Sequence, residues 1–188
     1  IQTDSTGRAA EAPAPASPED IALVLHTSGS TARPKLVPLT QRNLCVSAAN
    51  LTRSLALTPA DRCLAMMPLF HIGAIVDLLL APLLTRGTVI RARAMDSTAC
   101  FDLLERERPT WFQNVPAFLR ELMTEARRSG RRLEGSSLRL IRSVSAPLPA
   151  AHLRELEAFF AAPVIEIYGM TETAGVITSN PLPPGERK

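Results

Sequence analysis

The sequence predicts an α/β fold: a mostly parallel sheet flanked by helices on both faces. Two observations lead there. Short aliphatic runs alternate along the chain with longer segments whose apolar residues recur at helical spacing. The strand-like runs are also regularly separated by helical segments, which argues for a parallel sheet covered on both faces.

Taken in order, residues 1–19 set Pro13, Pro15 and Pro18 among alanines and read as a linker or disordered arm, with the domain proper over 20–188. Ile21–His26 is the first strand. It runs into the small polar loop Thr27–Thr31, and Leu36–Leu39 is a second short strand pairing back across that loop. Thr40 caps a helix over Gln41–Leu55, in which Leu44, Ala48, Leu51 and Leu55 share one face. Arg62–Met66 is a strand, Gly73–Leu84 a largely buried helix, Thr88–Arg91 a strand and Ser97–Glu107 a helix. Thr110–Gln113 is a strand, and Pro116 opens the next helix, where its missing N–H costs little. Leu138–Val144 is a strand, Pro149–Phe160 a helix and Val164–Tyr168 the last strand, with Gly169–Gly175 expected as a loop.

Composition narrows the function. The 188 residues are 46% hydrophobic, enough for one sizeable core. The apolar runs Ile72–Val76 and Leu78–Leu84 are short and split by Asp77, so no membrane span is predicted. A net charge of +3 is spread along the chain and only 4% of residues are aromatic, which argues against nucleic-acid binding. Cys45, Cys63 and Cys100 are isolated from one another, implying free thiols and a cytoplasmic setting. Asp77 within an apolar helix is either at the helix surface or paired, because an unpaired buried carboxylate is costly.

The most informative stretch is Thr27–Lys35, where four hydroxyls and Gly29 follow a strand and a lysine lies a few residues on. Such a turn can cradle phosphate oxygens, with Lys35 as a mobile positive charge. It lacks the G-x-x-x-x-G-K-[ST] pattern of a Walker loop, and an ordinary Ser/Thr/Gly turn is the plain alternative.

Thr27–Lys35 resembles the phosphate loop of the adenylate-forming superfamily, which includes acyl- and aryl-CoA ligases, luciferases and peptide-synthetase adenylation domains. Three further stretches match that family in order: Pro68–Gly73 its "PLFH" segment, Ser143–Pro149 its adenine-side "SGGAPL" loop, and Tyr168–Thr173 its "YGMTE" motif. The resemblance extends from Asp20 to the end of the chain and implies a subdomain of the adenylate-forming fold. In that family a carboxylate attacks the α-phosphorus of ATP and expels pyrophosphate, so catalysis is mainly charge neutralisation and alignment. The resemblance implies that Ser28, Ser30, Thr31 and Lys35, with Thr27 and Gly29, hold the β- and γ-phosphates. Thr171 would donate to the α-phosphate and Glu172 would help hold Mg²⁺. Tyr168 would lie against adenine and Ala146 and Pro147 would line the base pocket with backbone, with Ser145, Gly169 and Met170 also binding the nucleotide and His71 and Gly73 beside the acyl group.

Glycine is usual in the family where Ala32 and Leu36 stand, which implies a stiffer or differently posed phosphate loop, and Ser145 likewise replaces a glycine of the adenine-side loop. Gly73 stands where peptide-synthetase domains carry the aspartate that pairs with an amino group, so a plain acyl or aryl acid is expected. The implied partners are a carboxylic acid, ATP and coenzyme A, or a carrier-protein thiol in place of coenzyme A. The family's ribose-binding aspartate, hinge arginine and C-terminal lysine have no counterpart in Val176–Lys188. The expectation is a piece of a larger ligase that is inactive alone; a non-catalytic nucleotide-binding module is the alternative from a different class.

Overall fold

The computed structural model describes residues 14–27, 34–133 and 135–187. Its centre is a six-stranded sheet built from β3 (Arg62–Ala65), β4 (Thr88–Arg91), β5 (Trp111–Asn114), β6 (Leu140–Ser143), β7 (Val164–Met170) and β8 (Gly175–Ser179). The spatial order is β4-β3-β5-β6-β7-β8; the first four pairings are parallel and β7–β8 is antiparallel. Every residue of β5 and β6 is buried, as expected of strands covered on both faces. A separate antiparallel hairpin joins β1 (Ile21–Thr27) to β2 (Lys35–Thr40), the pairing expected across the Thr27–Thr31 loop.

Strand alternation sends neighbouring residues to opposite sides and gives two cores. On one side Leu64, Phe112, Ile141 and Val164 pack with α4 (Ser97–Glu107), α5 (Pro116–Ser129) and α6 (Ala150–Phe160). On the other, Cys63, Ala65, Trp111, Leu140 and Ile165 meet the β1–β2 hairpin, α1 (Gln41–Ser54) and the helical run that starts at Ile72. Helices therefore flank both faces. Thr40 caps α1 reciprocally: its hydroxyl accepts from the Asn43 amide at 3.2 Å and its own amide donates to Asn43 Oδ1 at 3.0 Å. Pro116 occupies the first turn of α5, as expected.

Two regions differ from the sequence expectation. The helix predicted over Gly73–Leu84 is a continuous run of three parts: α2 (Ile72–Ile75), a π-helical stretch π1 (Val76–Leu80) and α3 (Ala81–Leu84). Its last residues, Leu83 and Leu84, are exposed. The segment Gly169–Gly175 is not a loop. β7 continues to Met170, one 3₁₀ turn spans Thr171–Thr173, and β8 returns from Gly175. Thr173 makes that reversal: its hydroxyl donates to the carbonyls of Met170 (3.0 Å) and Gly175 (2.8 Å). Such side-chain bonding leaves no hydrophobic period to read.

The amino ends of β3, β5 and β6 are tied by Asp61. Its Oδ1 accepts from Thr110 Oγ1 (2.7 Å) and Arg139 Nε (2.6 Å); its Oδ2 accepts from Arg139 Nη2 (3.2 Å) and the Thr58 amide (2.8 Å). The opposite, carboxyl edge is where open α/β sheets place ligands. Among the described residues no helix is long and apolar enough to cross a membrane.

Candidate functional site

At the carboxyl edge, the loop leaving β6 and the β7–β8 ribbon enclose a cavity of about 830 Å³. Ser145, Ala146 and Pro147 form one wall; Tyr168 and Gly169 belong to the other. Two segments some twenty residues apart, each matched to a nucleotide-binding motif, thus line the same space. Tyr168 is 62% exposed, leaving its ring face available to a flat ligand. Ser145 has φ +72°, so the loop keeps the left-handed conformation for which glycine is the easier residue. Glu166 braces the wall by accepting from the Leu148 amide at 2.9 Å.

Sequence reasoning missed Glu166, Thr178 and Asn180, which also line the cavity. The alternation of Val164–Tyr168 offered a weak signal for Glu166; nothing in the sequence announced β8.

Gly169 holds the ribbon together by having no side chain. A Cβ there would lie 2.2 Å from the Gly175 carbonyl oxygen, too close for any other residue without backbone movement. A bulge between Tyr168 and Gly169 breaks the strand alternation. Met170 accordingly is not among the residues lining the cavity that Tyr168 lines. The Thr171–Thr173 turn follows, fastened to α1 by Ser47 Oγ donating to the Ala174 carbonyl at 2.8 Å. Thr171 is half-buried and Glu172 is exposed, in a shallow depression shared with Arg42, Asn43 and Ser47 of α1.

Thr27 and Lys35 face each other at the loop end of the β1–β2 hairpin. Ser28, Gly29, Ser30 and Thr31 lie outside the described residues, as does Ala32. β2 packs against the Thr171–Thr173 turn, so the strand that begins at Lys35 and the turn that carries Glu172 are neighbours.

His71 is exposed at the start of α2, its ring 4.5 Å from that of Phe70. Gly73 is half-buried and its carbonyl accepts from Gln113 Nε2 at 3.1 Å. Of the two alternatives for Asp77, the structure selects pairing. Asp77 is 1% exposed and its Oδ2 accepts from Arg142 Nη1 at 3.0 Å. Burial pushes the Asp77 carboxyl above the ordinary aspartate range, although Arg142 and Gln113 beside it pull the other way.

The sequence profile of the AMP-binding enzymes matches residues 2–188. The chain is 41% identical over 174 residues to the sulfoacetate–CoA ligase of Cupriavidus necator, covering 93% of this chain and 33% of that protein. It is 38% identical over 169 residues to the oxalate–CoA ligase of Saccharomyces cerevisiae, covering 90% of this chain and 30% of that one. Among solved structures, apo MatB from Rhodopseudomonas palustris superposes with a TM-score of 0.83 at 32% identity, over 95% of this chain and 34% of its own. The chain spans about a third of the length of the relatives it matches.

Proposed function

The chain belongs to the AMP-binding enzyme family, and from that premise we propose that the protein carrying it is an ATP-dependent carboxylate–CoA ligase. One observation supports this above the others: Ser145–Pro147 and Tyr168–Gly169 converge on one cavity beside the turn that presents Thr171 and Glu172. The similarity to CoA ligases favours coenzyme A over a carrier-protein thiol as acceptor.

In this reading adenine lies against the Tyr168 ring and the backbone of Ala146 and Pro147, with Ser145 and Gly169 shaping the ends of the slot. Met170 orients the turn that follows. The triphosphate then extends toward the hairpin, where Lys35 neutralises charge and Thr27 begins the loop Ser28–Thr31. A carboxylate oxygen of the substrate attacks the α-phosphorus, the bond to the bridging oxygen breaks, and pyrophosphate leaves. The coenzyme A thiol then attacks the acyl carbon, forming the thioester and releasing AMP. Thr171 donates to the α-phosphate, where negative charge grows in the transition state.

Glu172 fits a part in holding Mg²⁺: it is an exposed carboxylate on the turn that β2 packs against, and Mg²⁺ typically takes one or two carboxylates together with phosphate oxygens. When bound, that ion offsets phosphate charge and leaves the α-phosphorus open to attack. His71 and Gly73 mark the acyl side. The Asp77 carboxylate is already charge-paired with Arg142, and Gly73 offers no side chain to an α-ammonium, which favours a plain acid over an amino acid.

The test is carboxylate-dependent ATP–pyrophosphate exchange by the full-length protein, followed by mass detection of the CoA thioester. Exchange and thioester are expected together. Exchange without a thioester would move the protein to another branch of the family, and no exchange with any acid would overturn the ligase reading.

A further inference from the structure

A buried polar cluster beneath α2 is left over once the nucleotide cavity is accounted for. Its centre is Arg142, which is 0% exposed. Nη1 of Arg142 donates to Asp77 Oδ2 at 3.0 Å and to Gln113 Oε1 at 2.5 Å. Its Nε and Nη2 are buried with no partner among the described residues. Those two N–H groups form the parallel edge of a guanidinium that grips a carboxylate with two bonds. The same protein shows the mode elsewhere, where Arg128 Nε and Nη2 each donate at 2.8 Å to the two oxygens of Glu125.

Buried donors of this kind are rare because each costs stability, and two on one edge of a guanidinium ask for a ligand. The location fits one. Asp77 sits in the π-helical stretch, a form concentrated at functional sites. A Cβ on Gly73 would lie 3.3 Å from Gln113 Nε2, and one on Gly175 would lie 3.7 Å from Asp77 Oδ1. The cluster therefore lies between the start of α2 and the end of the Thr171–Thr173 turn, the elements assigned above to the acyl group and the reacting phosphate.

We infer that Arg142 is a specificity-determining residue of the acyl site, and that the substrate is a short carboxylic acid bearing a second anionic group, a carboxylate or sulfonate, which the Nε/Nη2 edge receives. The inference rests on the ligase reading. Asp77 and Gln113 engage Nη1 and hold the guanidinium plane. Entry exchanges the Gln113–Gly73 bond that closes α2 over the cluster for contacts to the ligand. An acid without the second anion leaves the Nε/Nη2 edge of Arg142 without a partner in the closed site, and sites built to bond a polar group reject analogues lacking it by about 10⁴-fold or more.

The experiment uses the full-length protein. kcat/KM for pyrophosphate exchange is compared for malonate, succinate and sulfoacetate against propionate and butanoate. The expected result is a preference of at least about a hundredfold for the dianionic acids. Arg142→Met should collapse that ratio while AMP affinity stays at the wild-type value. Because Arg142→Met strands Asp77, the double variant Asp77→Leu/Arg142→Met removes the pair together, and it should lose the same preference. Equal use of mono- and dianionic acids by the wild type, or a preference that survives in either variant, would overturn the inference and leave the ligase reading standing. Failure of every acid to support exchange overturns the ligase reading and this inference with it.

Discussion

Arg139 and Arg142 are three residues apart, and each pairs with an aspartate, yet the two pairs are built in opposite ways. At the amino edge of the sheet, both oxygens of Asp61 are used, by Arg139, Thr110 and the Thr58 amide, and Arg139 reaches solvent. Burial alone lifts the Asp61 carboxyl, but Arg139, Thr110 and Thr58 together hold it below the ordinary aspartate range. Near the carboxyl edge, Asp77 and Arg142 are sealed from water, and Asp77 Oδ1 and two guanidinium nitrogens have no partner among the described residues. Burial pushes Asp77 the other way. A fully bonded pair at the strand starts reads as a fastening. A half-bonded pair beneath the acyl side reads as a site whose remaining bonds are reserved for something else.

That contrast is most directly broken at Asp61. Asp61→Asn in the full-length protein should cost about 3 kcal/mol, the lower end for a buried pair losing one partner because Arg139 is partly solvated. The loss should appear in the urea midpoint, with carboxylate preference unchanged. A shifted preference would mean that the two edges are not independent. Glu172→Gln should do the reverse. Removing one placed electrostatic group raises the barrier by about 2.7 kcal/mol, roughly a hundredfold in exchange rate, with no change in the midpoint. Near-normal exchange at saturating Mg²⁺ would remove Glu172 from its assigned role.

Gly169→Ala sits between these extremes, because it strains the fold and moves the site together. Its methyl meets the Gly175 backbone, and overpacking of this kind costs about 2 kcal/mol. AMP affinity should fall alongside stability, since Tyr168 and Thr171 flank the displaced backbone. Loss of stability with AMP affinity intact would show that the ribbon is not what shapes the nucleotide slot.

The finest distinction is the sign of the pH dependence. The native pKa of Asp61 lies below that of the unfolded chain, so its contribution is complete above about pH 4 and lost as pH falls through the native value. The native pKa of Asp77 lies above the unfolded one, so its contribution is fullest below about pH 4 and declines as pH rises through the native value. Unfolding free energies against pH should therefore lose their acid-side drop in Asp61→Asn and their decline above pH 4 in Asp77→Asn. Identical profiles for the two variants would erase the difference between the pairs.

Much of this was legible from one dimension. Helical spacing of Leu44, Ala48 and Leu51, the cap at Thr40 and Pro116 at a helix start are local signals, and they located α1 and α5. The regular alternation of strand-like and helix-like segments announced a parallel sheet before any pairing was known. The motifs also singled out Ser145–Pro147 and Tyr168–Gly169, which line one cavity. What the linear order could not contain was any property that depends on two distant residues. Asp77 offered a choice between surface and partner, and only the packing of π1 over β6 supplied Arg142, 65 positions away. β8 was hidden because side-chain bonds from Thr173, not a hydrophobic period, turn the chain back. Secondary structure follows from periodicity and turn chemistry within a few residues, which sequence records directly. The unspent hydrogen-bonding capacity of a buried arginine is a sum over all its neighbours, and it exists only once the sheet and its covering helices have closed around it.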